Sequence, residues 1–164
     1  MNIIEHTTNW YKGEIFEGTL IGIAGVLLII VSMAFWKFGK TPNAQAMVIP
    51  LAVVGLFIGA SGFFMSSGNS KALEKITASQ IDNQSFVQSE KKRVADFQAL
   101  YLYTKIGAGI CFTIATLLFF ISENRHLLAV GIALIIIGIS GLTIDYFSKE
   151  RADVYYNQLI KQAK

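Results

Sequence analysis

Ile58-Gly59-Ala60-Ser61-Gly62 returns near the end of the chain as Ile137-Gly138-Ile139-Ser140-Gly141. Each copy closes a long apolar run and opens a charged, amphipathic stretch. The correspondence continues upstream, where Ala24-Gly25 and the five residues 26–30 line up with Ala108-Gly109 and 110–114, and Phe35 falls on Phe119. An internal repeat of this kind means that one helix pair is copied by a second. The chain therefore reads as an all-α integral membrane protein. The expected architecture is a four-helix transmembrane bundle built from two tandem parallel helix-pair repeats, over about 14–81 and 90–162.

Composition agrees with a bilayer setting. An apolar fraction of 53% with 15% charged residues, in 164 residues, departs from the composition of soluble domains. Four runs, 18–38, 46–65, 103–122 and 127–146, approach the roughly 20 residues that about 30 Å of hydrocarbon requires. None carries a charge in its middle third. The first run is followed by Ala44-Gln45-Ala46, which resembles a cleavage site, but no basic cluster precedes it and it exceeds the roughly 7–15 residues of a signal h-region. It is expected to stay as a span.

Of the 14 lysines and arginines, Lys37, Lys40 and Arg125 fall at one end of the spans and the others at the opposite end. The positive-inside bias then puts both termini and the long middle connection in the cytoplasm, in an inner membrane of bacterial type. The net charge of +3 reads as topology and contact with anionic lipid, with no nucleic-acid partner. Aromatic residues mark two belts. Trp10, Tyr11, Phe16, Phe63, Phe64, Tyr101, Tyr103, Tyr146 and Phe147 are expected at the inner interface, and Phe35, Trp36, Phe38, Phe119 and Phe120 at the outer.

The outer loops are short, 39–45 with a Thr41-Pro42-Asn43 turn and 123–126, so sequential helices should be antiparallel neighbours. At the inner end, 67–81 carries Leu73, Ile76 and Ile81, and 88–104 carries Val94, Phe97 and Tyr101 at helical spacing. A polar turn, Asp82-Asn83-Gln84-Ser85, separates them, and the tail sets Ala152, Tyr155 and Leu159 on one face. These patterns predict a cytoplasmic helical stalk over about 67–102 plus 147–162, continuous with helices two, three and four and roughly 20–25 Å tall. Within the membrane, Gly22 and Gly25, Gly55, Gly59 and Gly62, and Gly138 and Gly141 recur at three- and four-residue spacing. Lipid is as apolar as leucine, so helices associate there through close backbone approach, which glycines permit.

Chemistry-bearing residues are sparse. Glu17, Lys105 and Asp145 all fall near the inner interface, where each is expected to snorkel to the headgroups or, in the sharper reading, the three form a candidate charge cluster, a buried ion pair with one spare carboxylate. His126 stands beside Arg125 without a second ligand, and Cys111 is the single cysteine, so neither a metal site nor a disulfide is expected. Facing intramembrane histidines, paired cysteines, nucleophile–base pairs and glycine-rich phosphate loops are all missing from the sequence. It therefore reads as non-catalytic and free of cofactors. The run Glu90-Lys91-Lys92-Arg93 is the strongest exposed charge feature. With Phe97 and the Tyr155-Tyr156 pair, Arg93 makes a candidate partner-binding surface, since arginine and aromatic residues dominate hot spots.

Two functional classes follow. The first is an integral membrane protein that binds another protein through its transmembrane faces and stalk, in the manner of immunity proteins or accessory subunits. The alternative is a homo-oligomeric ion channel or small transporter, for which the spans offer few polar side chains: Thr19, Ser32, Ser61, Thr113, Thr116 and Ser140.

Overall fold

The structure is a computed structural model that describes residues 3–78 and 83–162. Four helices account for nearly all of it: α1 (Ile3–Phe38), α2 (Pro42–Ala78), α3 (Asn83–Ile121) and α4 (Arg125–Gln162). At 36–39 residues each they are about 55 Å long, nearly twice the hydrocarbon thickness. All four are long and apolar enough to cross a membrane. The expected spans thus make up one half of continuous rods and the expected stalk the other half. Of the expected polar turn, Asn83, Gln84 and Ser85 open α3; Ile81 and Asp82 lie outside the described residues.

Local chemistry explains the sharp outer corners. Thr41 accepts the Ala44 backbone N–H at 3.2 Å and Pro42 takes the first helical position, where a missing N–H costs nothing. Asn124 caps α4 in the same way, its Oδ1 accepting the His126 N–H at 2.9 Å. Pro50 lies inside α2, and nearby Ser32 of α1 donates to the Val48 carbonyl at 2.7 Å, a cross-helix bond beside the turn that proline weakens.

Packing differs between the two halves. Along their lengths α1 lies closely against α2 and α3 against α4, while α4 also borders α2 and α1; among the described residues α3 has no backbone-range contact with α1 or α2. Only 11% of the most apolar stretch of α3 is buried, against 22–28% in the other three helices. The α1–α2 seam is glycine on glycine. A Cβ on Gly25 would fall on the Gly59 backbone, one on Gly62 on the Gly22 backbone, and one on Gly18 within 2.8 Å of the Ser66 nitrogen. The α3–α4 seam is looser: Gly138 and Gly131 meet the rings of Phe112 and Phe119, Gly141 meets the Thr104 methyl, and Gly107 and Gly109 meet nothing within 4 Å.

The larger core sits in the stalk. Trp10, Tyr11, Val87, Val94, Ala152, Tyr155 and Leu159 form one buried cluster, with Ala72, Leu73, Ile76 and Tyr156 packed against it. All four helices contribute, and that corrects the expected stalk, which omitted α1. Residues ahead of the first span continue α1 by about four turns and supply Trp10 and Tyr11 at 6% and 3% exposure. These two, and Tyr101, consequently leave the expected inner aromatic belt. Phe16, Phe63, Phe64, Tyr103, Tyr146 and Phe147 remain exposed at that depth, as do Trp36, Phe38, Phe119 and Phe120 at the other end. A second, smaller cluster of Val54, Ile58 and Ala133 lies in the apolar half, where lipid would supply no drive for apolar burial.

Candidate functional site

Three groups of residues carry polar chemistry or line a cleft between the helix pairs, and a wider groove of about 580 Å³ runs over Gly18, Gly22, Gly55 and Gly59 of α1 and α2. The first is a polar network inside the stalk. Glu90 of α3 binds Arg93 through two hydrogen bonds, 2.9 and 2.7 Å. Tyr155 of α4 donates to Glu90 Oε2 at 3.0 Å, and its hydroxyl also meets Thr7 Oγ1 of α1 at 2.8 Å. The Tyr155 ring stacks on Trp10 at 5.3 Å with 13° between planes, and the Arg93 guanidinium lies 4.5 Å from Trp10 and 4.9 Å from Tyr11. A guanidinium pressed on two rings while pairing with a buried carboxylate is a charge given its partners inside the fold. Burial raises the Tyr155 hydroxyl far above the ordinary tyrosine range, so it is a fixed donor.

Of the expected partner-binding residues, Tyr155 is 2% exposed and Tyr156 is half-buried against the same core. Arg93 turns inward onto Trp10, and Phe97 sits edge-on to Tyr101, half-buried. Tyr155 and Tyr156 thus belong to the stalk core and Arg93 lies over it with 37% of its side chain exposed, whereas Phe97 meets Tyr101 of its own helix.

The second group lies at the base of the stalk. Arg151 of α4 bonds to Glu14 Oε1 at 3.0 Å and to Glu17 Oε2, both on α1. Glu14, 1% exposed, also accepts from Ser148 Oγ at 3.5 Å, and Ser148 in turn accepts from the Tyr101 hydroxyl at 3.4 Å. Burial raises the Glu14 carboxyl above its ordinary value, and the Arg151 guanidinium and the Ser148 hydroxyl only partly offset that. This is the arrangement expected of the charge cluster, two carboxylates on one cation, but Arg151 is the cation and Glu14 the second acid. Lys105 and Asp145 come together elsewhere, in a recess of about 410 Å³ between α3 and α4, with Tyr101, Leu142, Tyr146, Lys149, Glu150 and Asp153. Glu17 is not among them.

The third group is a cleft in the membrane half. Because the backbone of α3 comes close to that of α4 alone among the described residues, a space of about 260 Å³ opens over α4 between α2 and α3. Its floor is Ile137, Gly138, Ser140, Gly141 and Ile144, and small side chains on both walls, Ser61, Gly107, Ala108 and Cys111, keep it open. The lining offers almost no free polar surface, and Ser61 donates to the Phe57 carbonyl of its own helix at 2.8 Å. Such a cleft suits an apolar helix or acyl chain.

The expected packing glycines divide by geometry. Gly25, Gly55 and Gly62 are points where an added Cβ would meet backbone, whereas at Gly59 it would keep 3.7 Å and at Gly22 it would meet nothing within 4 Å. Gly138 and Gly141 face side chains.

Sequence reasoning left out Thr7, Trp10, Glu90 and Arg151 as interior residues. Their signal was present as spacing: Thr7, Trp10, Tyr11, Glu14 and Gly18 form one helical stripe on α1, and Ser148, Arg151, Ala152, Tyr155 and Leu159 form one on α4. The polar members hid those stripes from an apolar pattern.

Comparisons with protein-family models, curated proteins and solved structures give no match to this chain.

Proposed function

We propose that this is a non-catalytic integral membrane protein that acts by binding another protein inside the bilayer, in an immunity-type or accessory-subunit role. The observation that carries the reading is the cleft between α2 and α3. It is an apolar slot lined by small residues, on the one helix that has a single backbone neighbour. Close backbone approach is what transmembrane helices associate through, so the slot suits a partner's transmembrane helix. The stalk serves as a clamp at the inner end, where Glu90, Arg93, Tyr155 and Trp10, and Glu14, Glu17 and Arg151, are used on one another. Both matched serines, Ser61 and Ser140, line the cleft, which supports reading the hairpins as tandem copies related across it. The positive-inside bias supports an inner membrane with the stalk and both termini in the cytoplasm.

The channel or transporter alternative draws less support. Thr19, Ser61 and Thr113 each donate to a carbonyl of their own helix, and Ser32 to that of Val48, so these span hydroxyls do not line a polar path.

The test is capture of the tagged chain from native membranes in mild detergent, with native mass spectrometry of the complex, for the wild type and for Gly107→Leu. Gly107 lines the cleft and a Cβ there meets nothing within 4 Å, so a side chain begins there without clash and leucine occupies the slot; an unchanged unfolding midpoint of the variant is the control. A stoichiometric second protein that Gly107→Leu loses at unchanged membrane level is the expected result. Capture that the variant retains, or a homo-oligomer alone, refutes the reading.

A further inference from the structure

The recess between α3 and α4 has a composition that neither the partner cleft nor the stalk network explains. It lies at the depth of lipid headgroups: Lys105 is at the start of the third span and Asp145 at the close of the fourth. Lys105 and Lys149 flank it from α3 and α4, and Asp145 faces it from α4. Among the described residues, Asp145 Oδ2 is shielded and takes no hydrogen bond, while the carboxyl group as a whole meets the Thr104 hydroxyl and the Lys105 charge. A carboxylate oxygen left without a donor is unusual in a folded chain, and a turn of the side chain toward the recess lets a ligand donor repay its desolvation.

We propose that this recess binds the headgroup of a zwitterionic phospholipid bearing a primary ammonium, an aminoethyl phosphate diester. The ammonium donates to Asp145, and the phosphate lies between the Lys105 and Lys149 ammonium groups, which act as point charges toward its oxygens. Mixed charge decides the class. A purely anionic headgroup meets the repulsion of Asp145 and of Glu150 and Asp153 at the rim, where Asp153 already accepts from Gln98 at 2.8 Å. A quaternary ammonium has no N–H to give to Asp145. Below the headgroup, Leu142 and Tyr146 are 36% and 69% exposed on the bilayer side and offer apolar surface to the acyl chains. The volume, about 410 Å³, is within the range of small-ligand sites.

The test uses the full-length chain, stripped of lipid in detergent, and native mass spectrometry with three phospholipids of identical acyl chains and ethanolamine, choline or glycerol headgroups. The expected result is retention of the ethanolamine lipid about tenfold above the other two, as one charge-assisted hydrogen bond implies. Asp145→Asn removes that preference, leaving retention of the choline lipid unchanged and raising that of the glycerol lipid, whose anionic headgroup no longer meets the Asp145 charge. Lys149→Met, at an exposed position and so without effect on folding, lowers retention of the ethanolamine lipid. Soluble glycerophosphoethanolamine is the second probe: binding of it with no discrimination among the lipids overturns the lipid assignment. Equal retention of all three lipids, or preference for the glycerol headgroup, overturns the proposal, as does full preference in both variants.

Discussion

Substituting Gly25 by alanine, beside the same change at Gly22, isolates the force that holds the membrane half together. Both glycines lie on the small-residue face of α1, and by spacing alone they are equivalent. The geometry separates them. A Cβ on Gly25 falls on the Gly59 nitrogen and Cα and comes within 2.7 Å of the Gly55 carbonyl oxygen, all backbone atoms that no rotamer change can clear. A Cβ on Gly22 meets nothing within 4 Å. Alanine gains up to about 1 kcal/mol over glycine in helix propensity at either position. Overpacking against a rigid neighbour costs about 1–3 kcal/mol, so Gly25→Ala is expected to be net destabilising by about 1 kcal/mol or more. Gly22→Ala should be neutral or slightly stabilising. The assay is reversible unfolding of the purified chain in mixed micelles, followed by helix signal, with the free-energy difference taken between the two variants. Equal stability of the two would refute the argument that backbone contact between α1 and α2, and not a general tolerance of small residues, sets the seam.

Two further expectations concern the stalk. Tyr155→Phe keeps the stack on Trp10 but removes the hydroxyl shared by Glu90 and Thr7; it should cost about 1–2 kcal/mol, and Tyr155→Ala about 3–5 kcal/mol by emptying the core, both read from denaturant midpoints. Burial holds the Glu14 carboxyl above its ordinary value, so the folded chain binds that proton more tightly than the unfolded one. Its stabilising contribution is therefore complete below the ordinary carboxylate pKa and is lost as pH rises through the raised one. Glu14→Gln should flatten this fall of stability with pH, seen as a midpoint that changes less across the acidic range; an unchanged slope would assign it to other groups.

The internal placement of Tyr155 and Arg93 changes how their substitutions are to be interpreted. Either residue, altered, disturbs the stalk core first, and loss of partner capture in such a variant would report on folding. Gly107, open on the cleft, is the position at which capture and stability separate.

Four spans, two sharp outer corners and an amphipathic inner end were legible in the residues themselves. Each depends on local chemistry: run length against bilayer thickness, Thr41-Pro42 and Asn124 as helix starts, and apolar spacing from Leu73 to Leu159. The glycine faces were legible as candidates, because lipid leaves backbone approach as the means of association. Three things waited for the tertiary structure. The start of α1 entered the stalk, since its stripe of Thr7, Trp10, Tyr11 and Glu14 mixes polar and aromatic residues and only becomes a core face once Arg93, Tyr155 and Arg151 arrive from other helices. Glu17 took Arg151 as its cation while Lys105 stayed with Asp145, because helix neighbours decide which charges meet. Last, α3 came to border α4 alone, opening the cleft. Periodicity tells which side of a helix is small or apolar, but the partner of that side is set by packing between segments far apart in the chain.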